Sequence, residues 1–204
     1  MFKKRLVLTV LSAIIMASTP VAKASSTPVI APGFDDLYTV KESTWESVDI
    51  ASFEPSEGDY MVADTNKGIG YLINDKTLKY TSFDLLSGQK RYVSYIGRYY
   101  FAATPMKDWA VKSKEVKGDR VTFGASGRFL RLFSDGKGTP YGIHNYKYFD
   151  YSVSKGEKYI SFGCLLVADD VLNVIVKSFE VNGSELKVKT TTNEQILPFW
   201  KPVF

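Results

Sequence analysis

Two side chains in this 204-residue sequence occur once each and can do chemistry together, Cys164 and His144. A thiol of ordinary pKa, about 8.5, is mostly protonated at neutral pH. A neighbouring imidazole can take that proton and leave a nucleophilic thiolate. His144 lies in TPYGIHNYKYF and Cys164 in KYISFGCLLVADD. Gly163, just before the cysteine, allows a sharp backbone turn that can aim an N–H at a developing oxyanion. A lone cysteine builds no internal disulfide. Three roles stay open for it: a buried small hydrophobe, an intermolecular partner, or a nucleophile.

Some designs are excluded. Papain-like enzymes place cysteine early and histidine far downstream, and the order here is the reverse. Zinc sites need three or four ligands. His144 and Cys164 supply two, and Asp150, Asp169 or Asp170 would have to complete the set. We therefore expect no metal and no cofactor.

The redox compartment follows from the first residues. Lys3, Lys4 and Arg5 precede an apolar run from Leu6 to Ala17, and Ala22-Lys23-Ala24 is a small-x-small cleavage signal. The run suits a secretory leader and is short for a membrane span. Residues 1–24 are expected to be a signal peptide, and no cysteine near its end offers a lipid-anchor site. The expected location is exported, in the periplasm or cell envelope, with no stable membrane span after cleavage. Without Lys3, Lys4, Arg5 and Lys23 the 26 basic residues become 22, equal to the 22 acidic ones. A balanced chain gives no electrostatic reason to bind nucleic acid or an anionic membrane.

The elements that must position the pair read as β. Thirteen Tyr and thirteen Phe suit pleated, half-buried surfaces. From Gly58 onward, GDYMVAD, GIGYLIN, KTLKYTSFDL and QKRYVSYIG are short β-prone runs. Thr65–Gly68, Asn74–Lys76 and Ser87-Gly88 are turn signals between them. RVTFGASGRFLRLF continues the style. Residues 25–57 read as a linker or lid segment with a weak element near Trp45. Residues 58–190 form the domain, and 191–204, ending LPFWKPVF, form a tail packed on its surface. After the cysteine, β-branched Val171, Val174, Ile175 and Val176 favour a hairpin closed by Asn182-Gly183. Asp169 and Asp170 instead suit the first turn of a helix.

His144, sixteen intervening residues and Ser161-Phe162-Gly163-Cys164 resemble the signature of the YkuD-type L,D-transpeptidases, in which a histidine leads a Ser/Thr-His-Gly-Cys tetrad. Gly142-Ile143-His144-Asn145 is similar to that family's Gly-Ile-His-Gly segment. AATPMKDWAV and YLINDKTLKYTSF resemble its TPxGxF strand and opening hairpin. The resemblance spans about Gly58 to Thr190. It implies a mainly β fold, an L,D-transpeptidase-like β-sandwich of mixed sheets, with a short helix from about Asp169 to Phe179. Three positions depart from the pattern. Phe162 replaces the tetrad histidine, Leu166 stands where arginine is common, and Asn145 replaces a glycine. Arg128 and Arg131 are the candidates to replace the missing arginine, although solvated strand charges are their plainer role.

The activity implied is acyl transfer on peptidoglycan stem peptides, with a wall-linked lipoprotein as a further partner. Cys164 would be the nucleophile and His144 the general base. Gly163, Phe162 and Ser161 would serve the oxyanion hole or positioning, and Tyr141, Asn145, Arg128 and Arg131 would line the groove. The thioester would pass to an amine or to water. A catalytically degenerate wall- or protein-binding module, or a hydrolase of stem peptides or of a wall–lipoprotein link, is the alternative.

Overall fold

In the computed structural model, residues 45–95 and 97–192 are described. The expected signal peptide, the residues before Trp45 and the tail beyond Thr192 lie outside them.

Hairpin turns are set by two side chains. The Asp64 carboxylate accepts the N–H groups of Asn66 and Lys67 at 3.0 and 2.9 Å. The Asn74 carbonyl oxygen accepts those of Lys76 and Thr77 at 2.9 and 3.0 Å. Each imitates a backbone turn and reverses the chain after a strand. The strands so joined are β2 (Tyr60–Asp64), β3 (Ile69–Asn74) and β4 (Lys79–Asp84), preceded by β1 (Glu46–Ser47). There follow β5 (Ser87–Gly88), β6 (Tyr92–Tyr95), β7 (Arg98–Phe101), β8 (Asp108–Val116), β9 (Arg128–Ser134) and β10 (Lys137–His144). Helix α1 (Phe149–Ser154), β11 (Tyr159–Ser161), β12 (Leu165–Leu166), α2 (Asp169–Val181) and β13 (Leu186–Thr191) complete the order.

The protein is mainly β. Nine strands form one mixed sheet in the order β1-β4-β3-β2-β13-β8-β9-β10-β12, and β11-β5 and β6-β7 form two small sheets. The pairs β1–β4, β13–β2 and β10–β12 are parallel; the other pairs in the large sheet are antiparallel. Ser87-Gly88, expected as a turn, is a two-residue strand paired with β11.

One face of the large sheet holds the main core. Met61, Leu72, Val111, Leu130, Leu132 and Ile143 from the strands pack with Val171, Leu172, Ile175 and Phe179 of α2. That settles the hairpin-or-helix question. Val171, Leu172, Ile175, Val176 and Phe179 are all buried, and a helix hides the adjacent pairs 171/172 and 175/176 on one face where a strand would split each pair between faces. Tertiary packing thus overrides β-branched propensity. The residue preceding the helix is Ala168, which makes no capping side-chain bond, so Asp169 is a first-turn residue and not the cap. At the other end the Gly183 N–H bonds Glu180 O at 3.2 Å and the Ser184 N–H bonds Phe179 O at 3.0 Å. This closes the helix as a Schellman motif with Gly183 at φ 70°.

The folded body begins before Gly58. Strand β1 pairs with β4, and Val48, Ile50 and Phe53 pack into the main core. The linker or lid expected over 25–57 is therefore part of the body from Trp45 onward.

Candidate active site

Cys164 stands between β11 and β12 on a loop whose carbonyls are held one after another. Tyr100 Oη donates to Phe162 O at 3.1 Å, Thr104 Oγ1 to Gly163 O at 3.1 Å, and Ser161 Oγ to Cys164 O at 2.7 Å. Ser161 Oγ also accepts the Gly163 N–H at 3.1 Å. In a trans peptide the N–H points opposite the carbonyl, so fixing the Gly163 carbonyl on Thr104 aims the Cys164 N–H away from it. Gly163 has φ 116°, and a Cβ there would lie 2.3 Å from Tyr141 Cε1. Both its conformation and its packing therefore require glycine.

His144 ends β10 beside β12, in register with Leu166, two residues beyond the cysteine. Its ring lies between Phe123 and Phe129, with centroids 4.8 and 5.7 Å away. The ring Nδ1 and the Asn145 carbonyl oxygen are 2.7 Å apart. A carbonyl only accepts, so Nδ1 carries the proton of the neutral ring and Nε2 is left as the acceptor. Asn145 Nδ2 in turn donates to Val167 O at 2.9 Å, which ties the end of β10 to the chain leaving β12.

Imidazole and sulfur line the same cavity, of about 1110 Å³. No hydrogen bond joins them among the described residues. In empty catalytic sites such bonds are often long and tighten with substrate. Burial pushes the Cys164 thiol up to about 11, against smaller opposing effects of a Gly142 backbone hydrogen bond and the Arg131 charge. Burial likewise lowers His144 to about 4, outweighing backbone bonds at Asn145 and Thr122 that favour the charged ring. At neutral pH the pair therefore rests as thiol and neutral imidazole, with no preformed ion pair. Such an imidazole is free to act as a base.

These shifts predict a stability profile. His144 binds its proton more weakly folded than unfolded, so its contribution is complete above its ordinary 6.5 and is lost as pH falls toward about 4. The difference corresponds to roughly 3 kcal/mol. Denaturant melts of the wild type should show this loss, and His144→Gln should flatten the profile between pH 6.5 and 4. An unchanged slope in the variant would contradict the burial of a neutral ring.

Of the residues expected at the site, Cys164, His144, Phe162, Ser161, Tyr141 and Arg131 line the cavity, whereas Gly163, Asn145 and Arg128 do not. Asn145 sits behind the imidazole and shapes the strand end. Arg128 turns to the start of α2, where Nη2 lies 3.4 Å from Asp169 Oδ1. Alternation along β9 separates the two arginines, since 128 and 131 point to opposite faces. Arg131 is engaged on every side: Nε and Nη2 reach Glu115 at 2.6 and 3.0 Å, and Nη1 reaches Thr139 O at 2.6 Å. Sequence reasoning marked QKRYVSYIG as β-prone but missed that the β6–β7 hairpin reaches the site, where Tyr95, Arg98, Tyr99 and Tyr100 line the cavity. The aromatic density of RYVSYIGRYYF was its visible signal.

Among the described residues, no group of three His, Cys, Asp or Glu side chains is placed to hold a metal ion. No helix of the described residues is long and apolar enough to cross a membrane.

Comparison with known proteins adds two solved structures. One is an L,D-transpeptidase from Xylanimonas cellulosilytica, at 19% identity and TM-score 0.43, covering 69% of this chain and 66% of that one. The other is Bd1075 of Bdellovibrio bacteriovorus, at 12% identity and TM-score 0.47, covering 70% of this chain and 50% of that one. The chain thus spans less than two thirds of the length of either. No family model matches the sequence, and no curated protein matches it.

Proposed function

We propose that this protein is an exported cysteine acyltransferase acting on peptidoglycan stem peptides. One observation carries the reading: the sole imidazole and the sole thiol open into one large cavity. His144 Nε2 takes the Cys164 proton as Sγ bonds to the substrate carbonyl carbon. The Cys164 N–H holds the oxyanion, because the Gly163 N–H is engaged by Ser161. The tetrahedral intermediate collapses, the C–N bond to the leaving amino acid breaks, and the imidazolium returns its proton to the departing amine. The resulting thioester passes to an amine, forming a cross-link, or to water, trimming the stem. The motif's likeness to the YkuD-type pattern supplies the substrate class.

A carbapenem-type acylating probe tests the chemistry by intact mass. The expected result is one adduct on the wild type and none on Cys164→Ser. An unmodified wild-type thiol after hours, in a folded protein, overturns the catalytic reading. It would favour the alternative of a wall- or protein-binding module, to which the protonated resting thiol and Phe162 in place of the tetrad histidine lend support.

A further inference from the structure

Among the described residues, the cavity is lined by three cations, Arg98, Lys117 and Arg131, and by no Asp or Glu. Two of the three are answered from behind by one acid. Glu115 pairs with both Arg131 and Lys117, and those partners hold its carboxyl down at about 2. Arg98 differs. Among the described residues it has no ion-pair partner, and it is exposed at the cavity wall. Three cations against that one acid leave the cavity net positive, and Arg98 is the one of them with no ion-pair partner among the described residues.

The hairpin that carries Arg98 is fastened to the cysteine loop. Tyr95 is the register partner of Arg98 across β6–β7, and its ring centroid lies 4.8 Å from that of Phe162. Tyr100, on the same strand as Arg98, donates its hydroxyl to the Phe162 carbonyl at 3.1 Å. The residue two before the nucleophile thus holds the hairpin by its ring and by its backbone. A cation carried on an element tied to the cysteine loop is suited to orienting an anion in the substrate.

We propose that Arg98 is a specificity residue that binds the free C-terminal carboxylate of the substrate peptide, and that Phe162 is the positioning residue that sets the hairpin over the cavity. The substrate class rests on the function proposed above, but the binding of an anion does not. The guanidinium fork meets a carboxylate with two parallel hydrogen bonds, which a lysine cannot reproduce. Leu166, where the resembled pattern has arginine, is 3% exposed and packs with Leu86 and Phe149. It offers a substrate no charge, and the cation arrives instead from a different element of the chain.

The test measures binding to the full chain carrying Cys164→Ala, so turnover does not enter. Two ligands are compared, a stem tetrapeptide with a free terminal carboxylate and its terminal carboxamide, in both Arg98 and Arg98→Gln backgrounds. Arg98→Gln should weaken the carboxylate about tenfold or more and leave the carboxamide within about twofold. Arg98→Lys should recover part of the difference, and added salt should erode it. Phe162→Ala should reproduce a portion of the same selective loss with the melting transition retained. Equal losses for both peptides, no loss, or no binding of either peptide to the Arg98 background would overturn the proposal. Failure of Cys164 to acylate, with carboxylate selectivity intact, would instead remove the catalytic reading and leave the anion site standing.

Discussion

His144→Ala should slow acylation of Cys164 by about 10²–10⁴-fold at pH 7, the range for loss of a general base. The thiol, at about 11, is almost wholly protonated at that pH, and no other described side chain at the cavity is a neutral base. The wild-type rate should hold steady through neutral pH, because the imidazole stays neutral down to about 4, and should fall only as the ring protonates below that. The variant should behave differently. Its rate should climb with pH as solvent removes the proton, so the gap to wild type narrows toward pH 10. Acylation kinetics by intact mass across that range decide the matter. A variant that keeps wild-type speed at pH 7, or a gap that does not narrow in alkali, would show that the imidazole is not the base. A melting curve for the variant separates this from collapse of the Phe123–Phe129 pocket around the missing ring.

Gly163→Ala should cost roughly 2–6 kcal/mol of stability. A non-glycine residue held in a sparsely populated backbone region loses about 1–3 kcal/mol, and overpacking a filled site typically loses about 1–3 kcal/mol more. Here the added methyl would meet the edge of the Tyr141 ring at 2.3 Å, on a loop whose flanking carbonyls are anchored by Tyr100, Thr104 and Ser161. The loop has little freedom to retreat. Gly136→Ala is the control, since that glycine also has positive φ, 74°, but a Cβ would meet nothing within 4 Å. Thermal melts of the two variants separate backbone strain from the clash with Tyr141. Gly163→Ala should lose more, and Tyr141→Leu should restore part of the difference. Equal losses in the two alanine variants would mean that the close approach is not a constraint on the loop.

Both expectations trace to residues that stand out in the sequence, yet the sequence assigned some of their neighbours to the wrong place. Arg128 and Arg131 look interchangeable as charges on one strand. Their odd separation sends one to α2 and the other to the cavity, and their partners Asp169 and Glu115 come from distant parts of the chain. Asn145 was expected in the groove because it follows the histidine. It lies behind the ring because β10 ends there and its amide reaches back to Val167. The first strands and the turns at Thr65–Gly68 and Asn74–Lys76 were legible, since alternation and turn chemistry are local signals, whereas Ser87-Gly88 proved a strand and residues 120–126, read as β-prone, form turns. The helix after the cysteine was harder, because its β-branched residues read locally as strand, and it is the shared burial of the adjacent pairs 171/172 and 175/176 against the sheet that outweighs them.

By itself the sequence determined a mainly β chain with one thiol, one imidazole, a glycine beside the thiol and the hairpin punctuation that orders the first strands. Those features depend on residue identity and short-range spacing alone. The tertiary structure decided which charges reach the cavity, that the hydroxyls of Tyr100, Thr104 and Ser161 each hold a carbonyl of the cysteine loop, and that Arg98 stands there without an acidic partner among the described residues. Two of those hydroxyls, and the pairing of Glu115 with Arg131, come from residues well separated in the chain. Burial, which sets the protonation of Cys164 and His144, is likewise a property of packed neighbours that no single stretch of sequence contains.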